Sequence, residues 1–311
     1  ACAAALATSV IIARAVHRRR SLALWYRARV VLSAIRLAGV RPARIALLLA
    51  GSRGDYQGYA QLCKILVGRR LKVEAWCLGE ANAEFMRSLG IDARAADVPV
   101  GDELFKRDPQ ICKAMETGDE VMYMKAISAL FAQHSAGIAA SAINFHDAFQ
   151  PDVIVYHPMM MGVAKDLHDV SGLPVVLGAL FPRTPSKHLA PLYYARTGDD
   201  SPGRPDRTEE EVHADNLALH RSMFEDFFSG AFGAPHQEAR MQAGLPPLTP
   251  DDLWSLWFDP AQPTINGWSS VISPSLPDWP ESVHVTGYWA MDVKDQVAKF
   301  QPSAELRAFL E

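Results

Sequence analysis

The sequence predicts an α/β protein built on a Rossmann-like, doubly wound parallel sheet. From Arg44 onward, short apolar runs alternate with longer helical patterns, which is typical of βαβ units around a parallel sheet. The segment LKVEAWCLGEANAEFMRSLGIDARAADVP, residues 71–99, reads as a strand, a helix that ends at Gly90, and a second strand. These two observations indicate the fold class before any motif is considered.

The alternation predicts strands and helices in turn along most of the chain. The strands are expected at 45–50, 72–78, 91–95, 153–156 and 175–180. The helical stretches are expected at 59–68, 81–89, 121–149, 163–170 and 212–243. Residues 197–211 are polar and lack apolar periodicity, so we expect an exposed loop there.

Composition indicates a folded globular protein. Hydrophobic residues make up 49% and charged residues 21% of the 311 residues, which is ordinary for this class. This length predicts two domains or one large one. The cysteines show neither a CxxC pair nor a zinc-like spacing with histidine, so we expect no disulfide framework, no metal site and a reducing, cytoplasmic compartment.

Residues 1–43 form a chemically distinct basic segment. Residues 1–44 contain nine arginines and no acidic residue, so the rest of the chain carries all the acidic groups. Two interpretations stay open: an interfacial segment that faces anionic lipid and makes the protein membrane-associated, or a solvated basic helix packed on the protein body. Nucleic acid is disfavoured as a partner because the acidic remainder would repel phosphate.

A glycine-rich turn follows the first predicted strand. Gly51, Gly54 and Gly58 are spaced as GxxGxxxG, which is neither the dinucleotide-binding nor the Walker pattern. At this place in a doubly wound sheet the turn would lie in the crevice where ligands bind. Asp55 argues against a phosphate there, because its carboxylate would occupy the position of the phosphate charge. The carboxylate either accepts a proton or caps the following helix.

The motif GSRGDYQGYAQLCKIL, residues 51–66, resembles the loop that opens the acceptor domain of sterol 3β-glucosyltransferases and of bacterial relatives that glycosylate macrocyclic antibiotics. Further segments resemble this family in the expected order: 151–192, and then ARMQAGLPPL, ISPSLPDWP and VTGYWAMD. The resemblance covers about residues 44–311. The sequence departs from the family pattern at Gly58, where the family has Pro, and at Arg183, where it has Trp.

The resemblance implies the N-terminal half of a GT-B fold. It places an acceptor-binding domain at 44–293 and, at 294–311, a linker toward a donor-binding domain that lies outside this sequence. The implied reaction is inverting transfer of glucose from UDP-glucose, a co-substrate rather than a cofactor, to the hydroxyl of a sterol or similar lipophilic acceptor. The nucleotide sugar would bind mainly to the second domain, so this chain alone is expected to be inactive.

The resemblance also assigns roles to individual residues. Asp55 is the implied general base, and His157, at the end of the fourth predicted strand, either assists or replaces it or is only a satisfied turn residue. The remaining candidates are expected to bind the acceptor or to shape its loop: Gly51, Ser52, Arg53, Gly54, Met159, Met160, Phe181, Thr184 and Trp289. The methionines are equally well explained as core residues at the start of a helix.

Two other function classes remain as alternatives. A non-catalytic subunit of a split glycosyltransferase, which binds a lipid or sterol or recruits the enzyme to a membrane, would explain the basic N-terminus. A dinucleotide-dependent oxidoreductase fits the fold, but the sequence lacks its glycine fingerprint.

Overall fold

The computed structural model describes residues 41–99, 107–191, 208–225, 232, 234–292 and 303–310. Of the basic segment expected at 1–43, only residues 41–43 fall within these ranges. Of the linker expected at 294–311, only 303–310 do. The predicted loop at 197–211 lies outside them except for its last four residues.

Strands and helices alternate along the described chain. In order they are β1 (Arg44–Leu49), α1 (Arg53–Gly68), β2 (Lys72–Cys77), α2 (Glu80–Ser88), β3 (Ala93–Ala95), α3 (Pro109–Thr117), α4 (Glu120–Phe149), β4 (Val153–Tyr156), α5 (Met161–Ser171), β5 (Val175–Ala179), α6 (Glu209–Phe224), α7 (Ala234–Gln242), α8 (Pro250–Phe258), β6 (Thr264–Asn266), β7 (Val283–Val285) and α9 (Ala304–Leu310).

The strands form one sheet in the order β3-β2-β1-β4-β5-β6-β7, and every neighbouring pair is parallel. This confirms the predicted fold class and the five predicted strands, each within two residues of its expected bounds. The strands β6 and β7 were not predicted. Each has only three residues, which is too short for an apolar period to stand out.

The order of strands reverses direction between β1 and β4. From β1 the chain moves outward to β2 and β3, then returns to place β4 on the other side of β1. In register, Ile45 of β1 lies beside Val153, and Leu48 lies beside Tyr156. Open α/β sheets bind ligands at such a switch point, beyond the carboxyl ends of the strands.

Two helix predictions are corrected by the structure. Helix α1 begins at Arg53 rather than at residue 59, so much of the glycine-rich motif forms the first turns of a helix. Gly58, where the family pattern has Pro, lies within α1, and an added Cβ there would come within 2.6 Å of a Leu180 methyl. Among the described residues, the predicted helix at 212–243 corresponds to two helices, α6 and α7, and the first of them begins at Glu209 rather than at residue 212.

Alternate residues of each strand pack into two layers, one on each face of the sheet. On one face, residues such as Leu47 and Val155 pack against α1 and α2. On the other face, residues such as Leu48 and Tyr156 pack against α3, α4, α5 and α8. Strands that are buried on both faces explain the nearly continuous apolar runs of the sequence.

Helix α4 has an apolar stretch, Lys125–Phe149, long enough in principle to cross a bilayer, and no other helix within the described ranges meets that test. Its apolar residues form one face that belongs to the core, including Ile127, Leu130 and Phe145. An amphipathic helix packed on a sheet is typical of a globular core. The composition of α4 is therefore no independent sign of a membrane span.

Candidate active site

The candidate site lies where β1 and β4 end side by side. The chain leaves β1 through Gly51 and Ser52 into α1, and it leaves β4 through His157 into a short turn. The backbone N–H of His157 donates to the carbonyl of Leu48 at 2.9 Å, which ties the two exits together. Two side chains of opposite chemical character, Asp55 and His157, consequently face each other at the switch point.

Asp55 uses its two carboxylate oxygens differently. Its Oδ2 accepts hydrogen bonds from the backbone N–H of Ser52 at 2.7 Å and from the Ser52 hydroxyl at 3.2 Å, which caps the start of α1. Its Oδ1 faces His157 Nε2 at 3.6 Å. The two sequence-based alternatives, helix cap and proton acceptor, are therefore compatible in one side chain.

Gly51 makes this arrangement sterically possible. Its φ is +109°, and an added Cβ would lie 2.3 Å from Asp55 Oδ2. A side chain at this position would be strained and would also displace the carboxylate. The first glycine of the motif is therefore explained by the space that the Asp55 carboxylate needs, and no contact with a phosphate has to be invoked.

The hydrogen bonds of His157 assign its tautomer. Its Nδ1 accepts the backbone N–H of Met159 at 3.2 Å, so the proton of the neutral imidazole is on Nε2 and points toward Asp55. The distance of 3.6 Å is longer than a hydrogen bond, and such contacts in unliganded sites commonly shorten when substrate binds. His157 therefore supports the carboxylate and presents no free lone pair to the cleft.

The electrostatics keep Asp55 ionised and His157 neutral. Burial lowers the pKa of His157, and the nearby Arg183 adds to this, against the opposing effect of Asp55. Burial alone would raise the pKa of Asp55, but the contact with His157 and the bonds from Ser52 outweigh it and leave this pKa below its usual value. The side chain of Asp55 is 26% exposed and that of His157 only 6%, so the carboxylate is the accessible member of the pair.

Tyr59 is a neighbour of the site that sequence reasoning missed. It is fully buried, its ring meets the His157 ring edge-on at 5.7 Å between centroids, and it packs against Trp289 at 5.7 Å. Asp55 and Tyr59 are four residues apart in α1, so they lie on the same face of the helix. That spacing is visible in the sequence and could have identified Tyr59 once the helix start was known.

The other residues predicted from the turn after β1 take structural positions. Ser52 is the N-cap of α1 and Gly54 is exposed, with room for a Cβ. Arg53, expected to bind the acceptor or to shape its loop, is exposed, and its guanidinium lies 4.3 Å from the centroid of the Phe85 ring.

The two predicted methionines differ in their positions. Met159 is partly buried at the edge of the core and donates its N–H to His157. Met160 is fully buried in the core and has no surface to offer an acceptor. For Met160 the structure agrees with the core interpretation, because the turn after β4 directs that side chain inward.

Phe181, Thr184 and Trp289 lie around the carboxyl ends of β5, β6 and β7. Phe181 is partly exposed and stacks beneath the Arg183 guanidinium at 4.2 Å, so Arg183 replaces the expected Trp with a cation that rests on aromatic surface. Thr184 is buried, and its carbonyl accepts the indole N–H of Trp279 at 3.1 Å. Trp289 lies over Gly267, where an added Cβ would come within 2.6 Å of the indole.

A separate cleft of about 390 Å³ lies at the opposite, amino-terminal edge of the sheet. It is lined by Pro174 and Pro263, which precede β5 and β6, and by charged residues of α5 and α7. Arg240 in its wall bonds Asp166, Asp169 and the carbonyl of Pro246. Because the cleft lies at the far ends of the strands from Asp55, it is not part of the candidate site.

Within the described residues, no cluster of His, Cys, Asp or Glu is placed to hold a metal ion.

Comparison with known proteins finds similarity to glycosyltransferases in sequence and in fold. The sequence matches no family model. It is 26% identical over 280 residues to the O-mycaminosyltylonolide 6-deoxyallosyltransferase of Streptomyces fradiae, which covers 86% of this chain. Among solved structures, the calicheamicin glycosyltransferase CalG4 superposes with a TM-score of 0.50 and 13% identity over 80% of this chain. The glycosyltransferase of kitacinnamycin gives 0.49 and 16% over 85%.

The similarity to CalG4 is a similarity of fold, whereas the curated relative is similar in sequence. The chain spans 58% of the length of that relative and 53% of the length of CalG4. The curated relative is named as a 6-deoxyallosyltransferase of O-mycaminosyltylonolide, whereas the sequence resemblance implied transfer of glucose to a sterol. The similarity thus supports the expected class, a glycosyltransferase, but it does not support a sterol acceptor or UDP-glucose as donor.

The burial of neutral His157 predicts that acid destabilises the fold. The pKa of His157 is lowered in the folded state, so below about pH 6.5 the unfolded chain binds more protons than the folded chain does. The free energy of unfolding therefore decreases as the pH is lowered. His220, whose pKa is also lowered by burial, acts in the same direction. We expect His157→Gln to flatten this dependence by up to about 1.4 kcal/mol per pH unit, as measured by urea unfolding between about pH 5 and 7.

The solvent-exposed His284 provides the matched control, because His284→Gln also removes one histidine but leaves the buried site intact. An unchanged slope in His157→Gln would contradict the assignment of a neutral buried imidazole.

Proposed function

We propose that this chain is the acceptor-binding half of an inverting glycosyltransferase of the GT-B type, in which Asp55 is the general base. The observation that carries the proposal is the Asp55–His157 pair at the switch point, with the carboxylate partly exposed and the imidazole protonated toward it. Sequence similarity to a 6-deoxyallosyltransferase supports the same reaction class. In this proposal residues 44–293 bind the acceptor, and 294–311 lead to a donor-binding domain.

The proposed chemistry is a single displacement at the anomeric carbon of the sugar. The acceptor oxygen forms a bond to that carbon while the bond to the nucleoside diphosphate breaks, and the diphosphate leaves with the electron pair. The hydroxyl proton passes to Asp55 Oδ1, the oxygen that the helix cap leaves available. A carboxylate with a low pKa is a weak base, but the proton needs to move only as the C–O bond forms.

The hydrogen bonds favour Asp55 over His157 as the base. In the neutral imidazole, Nδ1 already accepts the Met159 N–H, and Nε2 carries its proton toward the carboxylate. His157 would have to change tautomer and lose that bond before it could take a proton. We therefore assign His157 the role of orienting Asp55 and stabilising its negative charge, as the orienting partner does in other acid–base pairs.

The surroundings of Asp55 favour a lipophilic acceptor. Met159 and Phe181, which are partly exposed, provide apolar and aromatic surface near the carboxyl ends of the central strands, and Trp289 is buried nearby against Tyr59; this suits a hydroxyl group carried on a large apolar skeleton. The family resemblance favours a sterol and UDP-glucose, and the name of the curated relative favours a macrolide and a 6-deoxyhexose. We give preference to the macrolide because that relative was found by similarity along 86% of the chain.

Replacement of Asp55 tests the assignment of the base. Asp55→Asn in the full-length enzyme should lower kcat by about 10²-fold or more, with the acceptor KM little changed, because the proton acceptor is lost and the oxygen that caps α1 is kept. Steady-state kinetics and the melting temperature should be measured together.

Asp252 provides a matched control for the capping role. Its Oδ2 accepts from the N–H and the hydroxyl of Thr249 at 2.8 and 2.7 Å, which repeats the geometry of Asp55 at the start of α8. Asp252 lies beside the cleft at the amino-terminal edge of the sheet. Asp252→Asn should leave kcat within about twofold. A similar small effect of Asp55→Asn would place the base elsewhere.

A substrate panel tests the reaction class and the acceptor together. Full-length protein should be incubated with UDP-glucose or a dTDP-linked 6-deoxyhexose, and with a macrolide aglycone or a sterol, and the products analysed by mass spectrometry. We expect sugar addition to the macrolide in preference to the sterol, and no transfer by the 311-residue chain alone. Binding of a sterol without transfer from any donor would instead support the non-catalytic alternative.

The basic N-terminal segment is proposed to contact anionic lipid, which would make a cytoplasmic enzyme membrane-associated. The motive is the set of nine arginines in residues 1–44. The chain should sediment with vesicles rich in anionic lipid more than with neutral ones, and salt should weaken this because charges are screened within about 8 Å at physiological ionic strength. Removal of residues 1–40 should abolish the difference, and equal binding to both vesicle types would refute the proposal.

A further inference from the structure

We propose that Tyr59 is a positioning residue: it holds helix α1, and with it Asp55, at a set distance from His157 and from Trp289. This inference rests on the proposed function of the Asp55–His157 pair. Tyr59 reaches no substrate, because its side chain is fully buried. Its role would be carried out through the elements that it connects.

Three contacts connect Tyr59 to the strands around the site. Its hydroxyl donates to the carbonyl of Gly178 at 2.6 Å, which anchors α1 to β5. Its ring meets the His157 ring at 70° and the Trp289 ring at 60°, both at 5.7 Å between centroids. One side chain therefore contacts the residue that follows β4, the end of β5 and the segment that follows β7.

Burial keeps the hydroxyl of Tyr59 in its donor form. Burial and then the charge of Asp55 raise the pKa of Tyr59 well above its usual value, so the proton stays in the bond to Gly178. Gly178 leaves the space for this contact, since an added Cβ would lie 3.1 Å from Tyr59 Cε1. The Tyr59 hydroxyl therefore remains the donor in the bond that joins α1 to β5.

The position of Tyr59 in the helix transmits this anchor to Asp55. The two residues are one turn apart on the same face of α1, so a shift of the helix at Tyr59 also moves the carboxylate. Asp55 Oδ1 and His157 Nε2 are 3.6 Å apart and must approach by about half an ångström to form a hydrogen bond. Misplacement by about 1 Å can cost up to 10²-fold in rate, so an anchor at this point matters for turnover.

Tyr56 distinguishes positioning from ordinary core packing. It lies on the same helix, is equally buried, and its hydroxyl donates to the carbonyl of Leu49 at 2.9 Å and accepts the N–H of Leu78 at 3.0 Å. These bonds hold α1 to β1 and β2, on the opposite side of β1 from His157. Loss of the Tyr56 hydroxyl should therefore lower stability and leave the geometry of the Asp55–His157 pair in place.

The test compares Tyr59→Phe, Tyr59→Leu and Tyr56→Phe in the full-length enzyme. Tyr59→Phe should lower kcat about tenfold with the acceptor KM within about twofold, because the ring remains and the anchor to Gly178 is lost. Tyr56→Phe should change kcat by less than about twofold, even if it lowers the melting temperature as much as Tyr59→Phe does. Equal effects of the two substitutions on kcat would overturn the proposal.

A second measurement does not depend on turnover. In protein labelled at histidine, the NMR titration of His157 should give a pKa closer to the usual value in Tyr59→Leu than in wild type, because loss of the ring admits water. Tyr56→Phe should leave this titration unchanged, and an unchanged titration in Tyr59→Leu would also count against the proposal. If Tyr59→Leu fails to fold, Tyr59→Phe still decides the question. Nearly normal turnover of Asp55→Asn would instead refute the assignment of Asp55 as the base, and absence of transfer from every donor would refute the proposed function; both outcomes are separate from this one.

Discussion

The pairing of β1 with β4 is the constraint on which the rest of the site depends. It places Leu48 beside Tyr156, so the two chain exits leave the sheet side by side. One exit starts a helix and needs a cap, and the other turns sharply through His157. A carboxylate and an imidazole meet because each satisfies the local backbone at its own exit. The chemistry of the pair is thus a consequence of how two adjacent strands end.

The central strands could be predicted from sequence because they are buried on both faces and contain short apolar runs, such as residues 45–49 and Val153–Tyr156. The short strands β6 and β7 could not, since three residues carry no period; β3 is equally short, but it was predicted from its place after a predicted helix. The start of α1 was placed too late for a different reason: Gly54 and Gly58 suggested a loop, whereas Gly58 is a small residue where the helix packs closely on Leu180. Tertiary packing overrode local propensity at that position.

The site was predictable to a similar, limited depth. Asp55 and His157 could be nominated from a motif and from their places after predicted strands. The tautomer of His157 could not be predicted, because it depends on the backbone N–H of Met159, two residues further along the chain. Tyr59 and Trp289 are in contact only because α1 and the segment after β7 meet on the same face of the sheet, although the two residues are more than 200 positions apart. No local pattern carries such information.

The exposure of Asp55 has a consequence for how the site would recover after each turnover. In the proposed reaction the carboxylate leaves the transfer step protonated, and the buried, neutral His157 is a poor place to pass that proton. A quarter of the Asp55 side chain remains open to solvent, while its other oxygen stays bound to the start of the helix. The proton can therefore leave directly to bulk water once product departs, with no internal relay. The same opening that admits the acceptor would then regenerate the base.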